Sequence, residues 1–151
     1  MSGGFVISRE IDAIPDDVFR AWTEADRLHW FFNPATPIGE TVSVDRREGG
    51  AWRQFMLTPD RSYITGGIYR ELRRPNRIAF VWGAVDGWPE IREDELDEGI
   101  LVTIDLVGTG SATELTFRLE LPDGSPVDDD ELAAMREGWS ETIDRLVAAA
   151  A

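Results

Sequence analysis

The sequence contains no cysteine and no lysine, and His29 is its only histidine. Without cysteine the chain can form no disulfide, no thiolate metal site and no cysteine nucleophile, a composition that fits a reducing cytoplasm. The missing lysine excludes Schiff-base catalysis and a P-loop, and a single histidine excludes a metal site made of several imidazoles. We therefore expect neither a metal nor a cofactor.

Basic residues and long apolar runs are also scarce. The 151 residues include 29 acidic side chains against 15 arginines, a formal net charge of −14 at pH 7. This charge repels phosphate backbones and anionic lipids, which argues against nucleic acid or a membrane as a partner. No stretch resembles a transmembrane helix or the apolar region of a signal peptide. We expect a cytoplasmic protein with a single domain over residues 1–151.

Hydrophobic periodicity predicts a strand, two helices, a run of strands and a final helix. Residues 5–11 alternate apolar and polar side chains, as in a half-buried strand. Pro15 begins a predicted helix that ends near Ala25, and a second short helix is predicted over 28–31. Further strands are predicted over roughly 39–45, 51–58, 62–72, 77–84, 99–107 and 112–121.

The last part of the chain predicts a long helix. Acidic residues 128–131 suit a helix N-terminus, and an apolar stripe with i, i+3/i+4 spacing runs from Leu132 to Ala150. Short turns between the preceding strands indicate antiparallel neighbours. The sequence therefore predicts an α+β fold in which the C-terminal helix covers the apolar face of an antiparallel sheet.

Alternate residues of three strands form nearly continuous apolar faces. We expect these faces to meet Met135 and Trp139 of the helix. Their members are Ile78, Phe80 and Trp82, then Ile100, Val102, Ile104 and Leu106, then Leu115, Phe117 and Leu119.

The strand over 51–58 follows Gly49-Gly50, which suits a sharp turn into a curved strand. Trp52, Gln54 and Met56 share one of its faces, which we predict to be the inner one, with Phe55 outside. An inner face that mixes Trp, Gln and Met is typical either of a pocket with a polar group or of the margin of a core. The pattern leaves both interpretations open.

The strand over 62–72 has two registers against the next strand. Pairing Leu72 with Arg77 leaves a four-residue turn and places Tyr69 and Glu71 inside. A slip of one residue would instead turn Ile68 and Leu72 inward. We prefer the first register because of its short turn.

Candidate catalytic groups are few. An inward Glu71 beside Tyr69 could bind the polar end of a ligand or act as an acid or base, or could form a buried salt bridge with Arg53 or Arg9. His29 could act as a lone general base, or could be a surface imidazole.

The longest connection, over residues 85–98, is acidic and contains Trp88. It is typical either of a binding loop or lid, or of a solvated excursion.

Taken in order, several short motifs resemble the START-like (SRPBCC) superfamily, and within it the activator of Hsp90 ATPase homologue 1-like (AHSA1-like) family. They are Arg9 with Ala13-Ile14-Pro15, Leu28-His29-Trp30-Phe31, Gly49-Gly50-Ala51-Trp52-Arg53, Gly67-Ile68-Tyr69-Arg70-Glu71-Leu72, Arg77-Ile78-Ala79-Phe80-Val81-Trp82, and Gly138-Trp139. The resemblance implies a helix-grip (Bet v 1-like) fold: a curved antiparallel sheet around a long C-terminal helix, with two short helices between strands 1 and 2. It also implies a cavity between sheet and helix.

The resemblance implies that this cavity suits a hydrophobic ligand. The residues expected to line it are Trp30, Phe32, Trp52, Gln54, Met56, Tyr69, Glu71, Phe80, Trp82, Ile104, Phe117, Met135 and Trp139.

Three functions are compatible with these features. The leading hypothesis is non-enzymatic binding of a hydrophobic or aromatic small molecule. The second is an enzyme similar to polyketide cyclases and dehydratases, with Glu71, Tyr69 or His29 as acid/base groups. The third is an Hsp90-type co-chaperone or interaction module that uses Trp88. Eukaryotic co-chaperones of the family carry a further N-terminal domain that residues 1–8 are too short to supply, and family members often form homodimers.

Overall fold

The computed structural model describes residues 3–24, 27, 42–57, 62–84, 90–92, 94 and 99–150, without the side chains of 42, 55–57 and 62–63. The elements are β1 (Gly4–Ile11), α1 (Pro15–Thr23), β2 (Val42–Val44), β3 (Ala51–Leu57), β4 (Ser62–Arg73), β5 (Arg77–Trp82), β6 (Ile100–Gly108), β7 (Thr113–Glu120) and α2 (Asp129–Ala150). The predicted helix over 28–31 lies outside the described residues.

The strands form one seven-stranded sheet in the order β1-β7-β6-β5-β4-β3-β2. Every neighbouring pair is antiparallel. Short turns join β4 to β5 and β6 to β7, while β1 lies at one edge of the sheet beside β7. This topology, with α1 after β1 and α2 at the C-terminus, confirms the predicted α+β helix-grip fold.

The core lies between the sheet and α2, and we call this side of the sheet its inner face. The buried residues of α2 include Met135, Trp139, Ile143 and Leu146, which share one core cluster with the inner residues of β5, β6 and β7. Burial of each large apolar side chain stabilises the fold by about 1.5–3 kcal/mol before the entropy cost of ordering is counted. The predicted apolar faces therefore lie where the alternation placed them.

Polar contacts fix α2 at its N-terminus and along its second half. The Asp128 carboxylate accepts a hydrogen bond from the Glu131 N–H at 2.8 Å, which caps the first turn. Farther along, Arg9 of β1 donates to Asp144 and to Ser140, each at 2.9 Å. Arg9 therefore anchors the helix to the edge strand instead of pairing with a buried glutamate. Neither α1 nor α2, the α-helices of the described chain, has the length and apolar character that a bilayer crossing requires.

Ion pairs position α1. Arg74, in the β4–β5 turn, donates two hydrogen bonds to Asp16 at 2.6 and 3.0 Å. These bonds hold the pKa of Asp16 below its usual value. At the other end, Glu24 accepts hydrogen bonds from Arg20 and from Arg46, each at 3.1 Å. The helix is thereby attached both to the β4–β5 turn and to the chain that follows β2.

The turn into β3 depends on its two glycines. Gly49 has a φ of 85°, and a Cβ on Gly50 would lie 2.2 Å from the carbonyl oxygen of Asp45. The first position needs a left-handed conformation and the second has no room for a side chain. Trp52 and Gln54 then face inward, as predicted, and both are buried. The predictions for Phe55 and Met56 concern side chains outside the described set.

The register of β4 against β5 differs from the one that we preferred from the sequence. Tyr69 pairs with Phe80 as predicted, but a β-bulge shifts the ladder, so that Glu71 pairs with Ala79 and Leu72 with Ile78. The bulge returns Leu72 to the core and turns Glu71 to the opposite face. The preferred register is therefore correct for Tyr69 and wrong for Glu71. The register shifted by one residue is correct for Leu72 and wrong for Ile68.

The side of the sheet opposite α2, which we call the outer face, receives part of the long acidic connection. Ile91 is buried in a small cluster with Ile68 of β4 and Val81 of β5. The Ile91 N–H also donates to the carbonyl of Ala84 at 3.2 Å. The described part of the 85–98 connection is thus attached to the outer face.

Candidate functional site

An aromatic cluster occupies the inner face beneath α2. Trp139 lies with its ring centroid 4.7 Å from Phe117 and 5.2 Å from Trp82. Trp22 of α1 stacks on Trp139 and Phe117 at 6.5 Å from each, and Phe5 stacks on Phe117 at 6.2 Å. These contacts make this end of the inner face a packed core.

A second aromatic group lies toward β3. The ring of Phe80 meets Trp52 edge-on at 5.3 Å and Tyr69 edge-on at 6.5 Å. Gly67 lies between the rings, since a Cβ there would be 2.6 Å from Phe80 and 2.7 Å from the Trp52 indole nitrogen. The absence of a side chain at Gly67 therefore lets these two rings approach the backbone of β4.

Gln54 is the most unusual residue of the inner face. Its side chain is 0% exposed, and neither its oxygen nor its nitrogen has a hydrogen-bond partner among the described residues. Across the ladder it pairs with Thr65, whose hydroxyl accepts a hydrogen bond from the Trp82 indole at 3.0 Å. Buried amide groups in native proteins are nearly always satisfied, so this one requires an explanation.

Tyr69 presents a second polar atom to the interior. It is 1% exposed, and its hydroxyl has no hydrogen-bond partner among the described residues. Burial raises the pKa of Tyr69, against the opposing effect of Arg46, so the phenol is neutral at physiological pH. Its backbone is fixed by hydrogen bonds with Gly49 and Gly50 at 2.7 and 2.9 Å.

The outer face has a surface depression of about 700 Å³ beside Ile91. Ala51, Ile68 and Ile91 supply its apolar lining, and Arg53 and Asp94 are among its charged residues. None of its described residues has a buried side-chain atom without a hydrogen-bond partner. We therefore place the candidate site on the inner face, around Gln54 and Tyr69.

Sequence comparison identifies the family. A family model described as "Activator of Hsp90 ATPase homolog 1-like protein" matches residues 12–151. The chain belongs to this family. No curated protein matches it.

Solved structures agree with the fold of an AHSA1-like protein. A protein from Nitrosomonas europaea has a TM-score of 0.75 at 23% identity, over 96% of this chain and 92% of that one. A Mycobacterium smegmatis protein has a TM-score of 0.75 at 18% identity, over 98% and 90% of the two chains. An Hsp90 activator from Plasmodium falciparum has a TM-score of 0.64 at 21% identity, over 91% and 88%.

The structure brings most of the predicted lining residues of this AHSA1-like chain together on the inner face. Those that are buried there are Trp52, Gln54, Tyr69, Phe80, Trp82, Ile104, Phe117, Met135 and Trp139. Trp30, Phe32 and the side chain of Met56 lie outside the described residues.

Glu71 does not belong to this group, because the bulge places it outside. Its carboxylate lies 3.3 Å from Arg73 Nε and 3.6 Å from Arg77 Nη1. The salt-bridge alternative thus describes Glu71 better than the acid/base one, although the arginines differ from the predicted Arg53 and Arg9.

The catalytic candidates are not assembled in the described part of the fold. Tyr69 and Glu71 lie on opposite faces of the sheet, and His29 is outside the described residues. Within the described ranges, no cluster of His, Asp or Glu could hold a metal ion. A proton-transfer role would therefore depend on Tyr69 without Glu71.

Thr65 was absent from the predicted lining but lies on the inner face beside residues that were predicted. It is 3% exposed and its hydroxyl bonds to Trp82. Counting back from Tyr69 in steps of two identifies Thr65 as an inner residue, so period-two alternation contains this signal. Trp22 was likewise missed as a wall residue, although its helical spacing from Val18 already indicated a buried face.

Proposed function

We propose that this protein binds a hydrophobic or aromatic small molecule between the inner face of the sheet and α2. The observation that carries the proposal is the buried Gln54 amide without a hydrogen-bond partner among the described residues. The neighbouring rings of Trp52 and Phe80 offer the apolar contacts that such a ligand needs.

The energetic cost of Gln54 supports a functional role. A buried amide that loses its hydrogen bonds to water costs about 1–3 kcal/mol, whereas an apolar side chain of similar size avoids this cost. A residue with no task beyond packing would be better replaced by methionine or leucine. A bound molecule that hydrogen-bonds to the amide would recover the lost energy.

A depression opens to solvent at one end of the sheet, next to two residues of the inner face. This depression, of about 490 Å³, is lined by Trp82 and Ile100, by residues 90–92 of the acidic connection, and by the loop from Pro122 to Val127. Trp82 is hydrogen-bonded to Thr65, the cross-strand partner of Gln54. We propose this depression as the approach to the site.

Binding is tested with a neutral hydrophobic dye. Titration of the protein with N-phenyl-1-naphthylamine should give saturable fluorescence at one dye per chain and should raise the unfolding temperature, because a ligand that binds the native state stabilises it. Native mass spectrometry of the purified protein shows whether a small molecule co-purifies. The proposal fails if the dye does not saturate and no small molecule is released on denaturation.

Replacement of Gln54 gives the matching stability test. We expect Gln54→Met to raise the free energy of unfolding of the ligand-free protein by about 1–3 kcal/mol, because it removes an unsatisfied buried amide. Thr103→Val, on the outer face, is the control and should change stability by less than about 0.5 kcal/mol. Urea unfolding followed by circular dichroism measures both. A destabilised Gln54→Met variant would mean that the amide has partners in the free protein.

Contact with an Hsp90-type chaperone is a second candidate. Its support is the family description and the structural similarity to an Hsp90 activator. The test is stimulation of the ATPase of a bacterial Hsp90 homologue, with Trp88→Ala as the variant of the acidic connection. Absence of stimulation and of binding would remove this candidate and leave ligand binding unaffected.

A further inference from the structure

We infer that the ligand is a neutral molecule with an adjacent hydrogen-bond donor and acceptor, such as a lactam, a primary carboxamide or an imide, and that Gln54 binds this edge with two hydrogen bonds. The inference rests on the proposed function and specifies its ligand class. It derives from the chemistry of Gln54, a fully buried side chain whose donor and acceptor both lack partners among the described residues.

The geometry of the amide sets the first requirement. A glutamine side chain carries a carbonyl acceptor and an NH₂ donor side by side, and can form two parallel hydrogen bonds with a group of the reverse pattern. Glutamine uses this bidentate geometry when it binds the donor–acceptor edge of adenine. A ligand with only an acceptor would leave the Gln54 carbonyl unsatisfied, and one with only a donor would leave the NH₂ group unsatisfied.

The surroundings of Gln54 set the second requirement, which is neutrality. Its ladder partners are Val42 and Thr65, and the adjacent inner residue of β3 is Trp52, so none of these neighbours carries a charge. An ionised carboxylate at this position would lose its hydration without gaining a counter-charge from these three neighbours. A carboxamide should therefore bind better than the carboxylate of the same size.

Three naphthalene compounds test both requirements by isothermal titration calorimetry at pH 7. 2-Naphthamide offers a donor and an acceptor, 2-acetylnaphthalene replaces the NH₂ group by a methyl group, and 2-naphthoate is charged. We expect wild-type protein to bind the amide at least about tenfold more tightly than the ketone, because a buried hydrogen-bonding group left unpaired weakens binding by that order. The naphthoate should bind most weakly of the three.

Variants assign the preference to Gln54. In Gln54→Met the amide and the ketone should bind within about threefold of each other, with binding of the ketone retained. Thr103→Val should keep the wild-type preference, and circular dichroism confirms that both variants are folded. Equal binding of amide and ketone by wild type, or a preference that survives in Gln54→Met, overturns the inference while the proposed function stands. Failure of all three compounds to bind wild type that still binds N-phenyl-1-naphthylamine also overturns the inference, whereas failure of the dye as well contradicts the proposed function.

Discussion

Polar side chains on the inner and outer faces of the sheet differ in whether they have hydrogen-bond or ion-pair partners. On the outer face, Arg77 donates to Asp105 at 2.7 Å and lies 3.6 Å from Glu71. On the inner face, Gln54 and the Tyr69 hydroxyl are buried without a partner among the described residues. The outer carboxylates lie beside arginines of the same face, whereas no described residue supplies a hydrogen-bond partner to the inner groups.

This difference shows that the size of a depression does not identify the site. A depression of about 700 Å³ is on the outer face, where charged side chains border an open and partly apolar surface. The inner face has the groups for which burial is costly and for which a ligand would therefore matter most. Packing should dominate the stability of the inner face, whereas the polar groups of the outer face should contribute only through weak ion pairs.

The largest expected effect comes from the centre of the inner aromatic cluster. Phe117→Ala should lower the free energy of unfolding by about 3–5 kcal/mol, because it opens a cavity among Phe5, Trp22 and Trp139. Arg118→Ala changes the next residue of β7, which is exposed on the outer face, and should stay within about 0.5 kcal/mol of wild type. Urea unfolding measures both. Similar losses for the two variants would contradict the division of the sheet into two faces.

The close approach of the rings at Gly67 predicts the next largest effect. Gly67→Ala should cost about 1–3 kcal/mol and alter tryptophan fluorescence, since the new methyl group collides with Trp52 and Phe80. Gly138→Ala is the matched glycine replacement. A Cβ there meets nothing within 4 Å, so alanine should stabilise α2 by up to about 1 kcal/mol. Thermal unfolding compares them, and a neutral Gly67→Ala would mean that the inner face has room at this position.

Regular alternation explains which parts of the inner face were predictable. Trp52 and Gln54 on β3, and Phe117 on β7, follow period two without interruption, so the sequence assigns them to one side. The β-bulge beside Arg70 breaks this period, and no local feature of the sequence distinguishes it from a simple change of register. Tyr69 was therefore placed correctly and Glu71 was not.

Two other features depend on contacts between distant segments. Ile91 lies in an acidic connection without a regular apolar period, so periodicity could not predict its burial against Ile68 and Val81. The unpartnered state of Gln54 depends on which side chains reach its amide, and spacing along one strand does not specify this. The predicted single domain and the cytoplasmic location stay predictions.

Acid titration should reveal a smaller effect, which is the contribution of the ion pairs around Glu24 to the stability of the fold. Hydrogen bonding by Arg20, with further contributions from Arg46 and Arg27, lowers the pKa of Glu24 from its ordinary value of 4.5. A lowered folded-state pKa gives stability that is present above the unfolded-state pKa and is lost as the pH falls through the folded-state value. The difference in unfolding temperature between wild type and Glu24→Gln should therefore be largest near pH 7 and shrink below about pH 4.

The control for this titration is Glu120→Gln, which changes an exposed carboxylate of β7 without an ion pair to a described residue. Its difference from wild type should stay small from pH 7 to pH 3. A Glu24→Gln difference that does not change with pH would show that the ion pairs around α1 contribute nothing to folding.

The smallest expected effect is that of Glu71→Gln on the outer face. The carboxylate contacts Arg73 and Arg77, but Arg77 keeps its hydrogen bond to Asp105, so the loss should be below about 1 kcal/mol and should decrease in 0.5 M salt. Because Glu71 faces away from α2, the variant should also bind N-phenyl-1-naphthylamine as wild type does. Titration of wild type, Glu71→Gln and Gln54→Met with the dye compares their affinities. If Glu71→Gln weakened dye binding more than Gln54→Met, the ligand would lie on the outer face, and the buried amide would need another explanation.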